Sequence, residues 1–246
     1  MCHGRPGVGK TRSAREFSSF PDLGEYAALR PIAALLGEKV ARCRAVFYTV
    51  SVSNTPKTID AVLGLNLIKL GYARLNIGLE TGLNDVLAFM DKGNTADEAR
   101  EALARLNEAG ITFTLNLVMG LAGAGRGIEN ALANAAIVNE ARPTLVFVSP
   151  LHVDPGARLE QLVDEGDFVE CTLGDYIDEE IEFLKGLEVS DCVFFGLHVS
   201  NPIRVSGKLP RDKEYLIEEL EAGRTRFPAW QLDSVPAKGS EGRMIG

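Results

Sequence analysis

Cysteine is scarce in this 246-residue chain, and what there is stands badly placed for joint work. Cys2, Cys43, Cys171 and Cys192 are scattered, and no pair forms C-x-x-C. Four cysteines permit three disulfide pairings, but this spacing reads more simply as free thiols in a reducing compartment. Long apolar runs are missing too. No stretch approaches the ~20 apolar residues of a bilayer-crossing helix, and the first residues lack the apolar core of a secretion signal. A cytoplasmic protein is the expectation. Positive charge falls short of negative, with 26 Lys and Arg against 34 Asp and Glu, a balance of −8. That argues against nucleic acid or an anionic membrane as the main partner. No basic stripe interleaved with aromatics offsets it.

What is present is a composition of ordinary globular type, 46% hydrophobic, in a chain long enough for one large domain. β-Branched and aromatic runs at 45–52, 73–79, 111–118, 144–149 and 191–195 read as strands. Helical spacing fills the intervals, at 57–70, 82–90, 95–110, 127–141, 173–187 and 210–222. In the clearest of these, Thr95 and Glu98 form a capping box, Ala99, Leu103 and Leu106 share a face, and Gly110 supplies the stop. In the 127–141 helix, Ile128, Leu132 and Ala135 are expected to form the apolar stripe. The run Asp178-Glu179-Glu180 reads as a solvated helix face, and Arg211-Asp212-Lys213 as a helix start in solvent.

Strands alternating with helices imply an α/β fold with a parallel sheet covered by helices. A partial (βα) barrel fits better than an open sheet. Gly78, Glu80, Thr81, Asn116, Gly120 and Ser149 fall in or just past the later halves of strands, where such folds gather their chemistry. The expected organisation is an irregular N-terminal segment with a helix over 1–44, the barrel with a C-terminal extension over 45–226, and a flexible Gly-, Pro- and Ser-rich tail over 227–246.

The chain opens with GRPGVGKT, Gly4 to Thr11, a match to the phosphate-binding pattern G-x-x-x-x-G-K-[ST]. Such a loop must follow a buried strand and open a helix, yet only Met1, Cys2 and His3 precede it. A triphosphatase also needs an apolar strand ending in a magnesium-binding Asp, and none of the strands read here ends that way. A Gly-rich start is the preferred reading. His198, Ser200 and Asn201 read as turn-forming side chains at a strand-to-loop transition. His152 and Asp154 are too few for a metal site.

The segment LNIGLETGLNDVLAFMDKGNTADEAREALARLNEAG, Leu75 to Gly110, carries more information. It resembles the central part of radical S-adenosylmethionine (radical SAM) enzymes, whose pattern there is close to GLESG…VL…M-x-K-G…T…A…L-x-x-A-G-I…G. Pro155 to Leu159 is similar to the family's P-G-T-x-L turn. His198-Val199-Ser200-Asn201 with Gly207 to Lys213 is similar to a C-terminal signature H-x-S-N…G-x-L-P-x-D-K in part of that family. The likeness runs from about residue 45 to 222.

The resemblance implies a TIM-barrel-like partial (βα)₆ barrel that reductively cleaves S-adenosylmethionine at a [4Fe–4S] cluster to form a deoxyadenosyl radical. By position it puts Asn76 and Glu80 near the ribose and Asn116 and Gly120 beside the adenosyl group, with Gly78 and Thr81 also among the cofactor-binding residues. The strand ending at Ser149 would offer backbone contacts to adenine. The departures matter equally. Gly123 stands where the family often has a carboxylate. No C-x-x-x-C-x-x-C occurs in the chain, and the family's first two strands have no counterpart. Scattered cysteines do not supply a cluster's thiolates. Two expectations therefore stay open. In one, the chain start is misplaced and Cys2 is the last of three cluster ligands. In the other, the chain is a non-catalytic barrel that binds a nucleoside or pairs with a subunit covering its exposed strand edge. The substrate is not readable.

Overall fold

Burial alternates strictly from Arg74 to Glu80, with Leu75, Ile77 and Leu79 buried and Arg74, Asn76, Gly78 and Glu80 half-exposed. This is the pattern of a strand with one covered and one open face. The computed structural model describes residues 48–53, 59, 63 and 72–236, all within the unit Phe47–Gly246. The opening loop Gly4–Thr11, Cys2, Cys43, the segment 1–44 and nearly all of the helix expected over 57–70 lie outside the described residues.

Six strands form one sheet in sequential order. They are β1 (Tyr48–Ser53), β2 (Tyr72–Glu80), β3 (Phe113–Met119), β4 (Leu145–Pro150), β5 (Cys192–Gly196) and β6 (Val205–Leu209). The first five pair in parallel, and β6 closes the series antiparallel to β5. The helices whose bounds fall among the described residues are α1 (Asn84–Phe89), α2 (Ala96–Glu108), α3 (Gly127–Ala141), α4 (Arg158–Glu165), α5 (Leu173–Gly186), α6 (Lys213–Arg224) and α7 (Ala229–Leu232). The core between sheet and helices unites Leu75, Ile77, Leu115, Leu117, Val146, Val148 and Phe194 with Leu103, Leu106, Ile137, Ile177, Phe183 and Leu184. The fold is α/β, a partial (βα) barrel.

α2 begins as its residues dictate. Thr95 Oγ1 accepts from the Glu98 N–H, and the Glu98 carboxylate accepts from the Thr95 N–H at 2.7 Å. Ala99, Leu103 and Leu106 are buried. Of the stripe expected on α3, Ala135 is buried but the other two residues face outward. Ile128 and Leu132 are 57% and 55% exposed, and the buried stripe is Asn130, Ala131, Asn134, Ala135, Ile137, Val138 and Ala141. Small residues explain the rotation: α3 packs against α5 so closely that a Cβ on Gly186 would sit 2.9 Å from that of Ala135. Buried partners for both asparagines complete it.

The charge run on α5 is likewise not a solvated face. Asp178 is exposed, but Glu179 and Glu180 are 1% and 3% exposed. α5 is covered on several sides, by α3, α6 and α7 and by the edge of β3, so little of its surface reaches water. The 227–236 stretch, expected as loose, holds α7 and buries Phe227, and its Ser234 carbonyl accepts from the Leu173 N–H at 2.9 Å. Residues 237–246 lie outside the described residues.

The C-terminal signature serves the fold. Asn201 is buried, with its Nδ2 3.4 Å from the Val148 carbonyl. The Asp212 carboxylate accepts from the Lys208 N–H at 2.8 Å, closing the turn between β6 and α6. Lys213 Nζ donates to the Lys185 and Leu187 carbonyls at 2.7 and 2.9 Å, capping the C-terminus of α5 with a cation where the helix end carries partial negative charge.

Candidate functional site

The open face of the sheet is built from cross-strand rows. Asn76 pairs with Thr114, Gly78 with Asn116, and Val118 with Ser149. Asn116 is also paired to Phe147, and Phe147 to Phe195. Asn76, Gly78, Glu80, Asn116 and Ser149 all lie on this half-buried face, near the C-terminal ends of β2, β3 and β4. No side-chain hydrogen bond ties up Asn76 or Asn116 among the described residues, so both amides are free to meet a ligand. Each presents two donors and an acceptor. Phe147 stacks on Phe195 at 5.6 Å and meets the edge of His198 at 5.9 Å, forming an aromatic wall beside Asn116. The His198 ring is bonded through Nδ1 to the Ser200 hydroxyl in the turn that follows.

Glu80 is aimed by a bulge. The register of β2 against β3 shifts between Gly78 and Glu80, leaving Leu79 as the extra residue, and Glu80 takes φ 65°. A bulge of this kind re-aims a side chain at the rim of a sheet. The carboxylate folds back over Gly78, where a Cβ would lie 2.5 Å from Glu80 Oε1. A side chain at Gly78 would displace the Glu80 carboxylate from this position. Lys92 Nζ stands 3.7 Å from Oε1. Burial pushes the Glu80 pKa up, and the Lys92 ammonium opposes it.

Thr81 and Gly120 belong to a different layer, behind the open face. Thr81 is fully buried. It donates its hydroxyl to Asn130 Oδ1 at 2.5 Å and accepts from the Leu83 N–H at 3.1 Å. Asn130 Nδ2 donates to Glu179 Oε1 at 2.6 Å, and the Gly120 N–H donates to Glu179 Oε2 at 2.8 Å. One helical turn from Asn130, Asn134 Oδ1 accepts from the Gly82 N–H at 2.7 Å. Gly120 adopts φ 78°, and a Cβ on it would lie 2.3 Å from Tyr176 Cε1. The glycine thus makes room for Tyr176. Burial pushes the Glu179 carboxyl up to about 7 and that of Glu180 up to about 8. Glu180 Oε1 has no partner and lies 2.7 Å from where a Gly196 Cβ would be. Asn130, Asn134 and Glu179 were beyond the reach of sequence reasoning, although one signal existed. Glu180 falls three residues after Ile177 and four before Leu184, inside α5's own apolar stripe.

The two described thiols, Cys171 and Cys192, do not suit an iron–sulfur cluster. Cys171 and Cys192 are buried in different parts of the core, and burial pushes them up to about 12 and about 11. The Cys171 Sγ–H donates to the Gly120 carbonyl at 3.8 Å and the Cys192 Sγ–H to the Val193 carbonyl at 3.7 Å. A cluster needs accessible thiolates held together, and no group of three or more metal-ligating side chains gathers among the described residues. No helix among them is long and apolar enough to cross a membrane.

Residues 16–127 match the model of the radical SAM superfamily. Among similar proteins, the tRNA uridine(34) acetyltransferase of Methanocaldococcus jannaschii is 24% identical over 103 residues, 42% of this chain and 19% of that protein. A protein named probable threonylcarbamoyladenosine tRNA methylthiotransferase, from Methanothermobacter thermautotrophicus, is 27% identical over 113 residues, 45% of this chain and 26% of that one. The chain therefore spans about a fifth to a quarter of the length of these relatives. In three dimensions it resembles the archaeal Methanocaldococcus infernus Elp3 with an N-terminal deletion, at TM-score 0.54 and 19% identity. That likeness covers 72% of this chain and 42% of the other, and it supports the fold.

Proposed function

We propose, from the match of residues 16–127 to the radical SAM superfamily model, that this half-barrel binds the nucleoside end of S-adenosylmethionine. The observation that carries the reading is the pair of unengaged amides, Asn76 and Asn116, beside the bulge-aimed carboxylate of Glu80 on one half-buried face. A ribose offers vicinal hydroxyls, which Glu80 and Asn76 suit as acceptor and donor. An adenine offers a flat ring and a polar edge, which suit Asn116 and the backbone of β4 ending at Ser149. The sheet beneath is backed by a packed core, so these groups are held in place before a ligand arrives.

In the superfamily, S-adenosylmethionine supplies the radical that takes hydrogen from a substrate. The chain's own residues do the binding, the orienting and the exclusion of water. The described residues do not fit a [4Fe–4S] cluster. The relatives' names point to a tRNA nucleoside as the substrate class. With a balance of −8, we infer that any grip on an RNA backbone lies in other parts of such proteins. A partner at the edge of the sheet formed by β1, and residence in a reducing cytoplasm, belong to the same proposal. The free Cys171 and Cys192 agree with the second point.

Calorimetric titration with S-adenosylhomocysteine, which shares the nucleoside and needs no cluster, tests the reading. Wild type should bind, and Asn116→Ala should weaken binding about tenfold, the loss of one or two ligand hydrogen bonds. Equal affinity in the two proteins would remove Asn116 from the site.

A further inference from the structure

The ends of β2 and β3 meet in one buried carboxylate. Glu179 offers one oxygen to the Gly120 N–H, directly past β3, and the other to Asn130, which holds the hydroxyl of Thr81, directly past β2. We propose that Glu179 is a positioning residue for the nucleoside site: through Gly120 on one side and Asn130–Thr81 on the other, it fixes the two strand ends against each other and so sets where Glu80 stands. This rests on the nucleoside-binding reading given above.

Three physical points converge on it. First, a buried carboxylate is costly, and an apolar residue of similar volume would often serve stability as well or better. At this position both donors that satisfy the carboxylate come from, or lead to, the rim of the candidate site. Second, Glu80 adopts φ 65° at a bulge. Such a conformation persists when its surroundings over-determine it, and the neighbouring Thr81 and Gly82 are both held from α3. Third, two N–H donors require two accepting oxygens, which the ionised carboxylate supplies in full. The groups facing it are Asp175, Tyr176 and Glu180 from α5, Cys171 from the loop before α5, Asn130 from α3, and the backbone around Gly120 and Gly127. None is a cation. With its pKa pushed to about 7 by burial, Glu179 changes charge near neutrality. Below that pH one oxygen carries a proton and one of the two contacts weakens.

The test uses the full chain, with the Gly120 amide resonance followed from pH 5.5 to 8.5 and S-adenosylhomocysteine affinity measured over the same range. The Gly120 amide should titrate near neutrality in wild type and stay flat in Glu179→Gln. Wild-type affinity should strengthen about fivefold to tenfold across the range. Glu179→Gln should melt cooperatively, yet bind about tenfold more weakly at pH 8 with a flat pH profile. Thr81→Val should resemble it, and Thr81→Ser, which keeps the hydroxyl, should restore binding. A Gly120 amide that does not titrate, or a Glu179→Gln protein with the wild-type pH profile, would overturn the assignment. So would a Glu179→Gln chain that fails to fold while Thr81→Val folds and binds normally. If Gly120 titrates as expected but wild type binds no nucleoside at any pH, the positioning device stands and the nucleoside reading falls.

Discussion

At the residue scale, the neighbouring carboxyls on α5 behave differently from exposed acids. Glu180 has no partner for Oε1 and is pushed up to about 8, first by burial and then by Glu179. Its folded pKa lies above the ordinary unfolded value, so the folded chain holds a proton that the unfolded chain releases. That contribution to stability is complete below about pH 4.5 and is lost as pH rises through about 8. Glu180→Gln removes the titration. Thermal unfolding should therefore show the variant gaining on wild type by about 1–3 kcal/mol between pH 5 and pH 8.5. A difference that is constant with pH would mean that Glu180 is solvated. A run of three acids reads as a wet surface by composition alone. The burial of two of them arises from what packs around α5, which local sequence does not state.

At the element scale, what was readable depended on whether the local signal and the packing agreed. α2 agrees on every count, since Thr95 and Glu98 cap it and Ala99, Leu103 and Leu106 face the core. Thr95→Ala should lower stability by about 1 kcal/mol, read as a shift of the urea midpoint at unchanged m-value. An unchanged midpoint would show the cap to be dispensable. α3 disagrees. Hydropathy favours Ile128 and Leu132, but the tertiary partners select a stripe two residues away, where alanines permit close approach to α5 and asparagines meet Thr81, Gly82 and Glu179. The strands from β1 to β5 were readable because β-branched runs bounded by turns have few other fates. β6 was hidden in Val205–Leu209, a five-residue run containing Gly and Lys whose strand character comes from pairing with β5. α7 was hidden because a four-residue helix leaves no periodicity to read.

At the scale of the whole molecule, five parallel strands in sequential order, backed by helices, leave one half-buried face, and Asn76, Gly78, Glu80, Asn116 and Ser149 meet on it. That convergence was readable from strand ends, because each residue falls at or just past the later half of a strand. The separation of Thr81 and Gly120 into a rear layer was not, because it depends on α3 and α5 reaching across from distant sequence. On the proposed function, this face holds the nucleoside end of S-adenosylmethionine. The most direct measurement is an amide chemical-shift map of the chain titrated with S-adenosylhomocysteine. The account predicts saturable shifts concentrated at Asn76, Gly78, Glu80, Asn116 and Ser149, with smaller ones at Gly82 and Gly120. No shift at saturating ligand, or shifts centred on the outer helices, would contradict it.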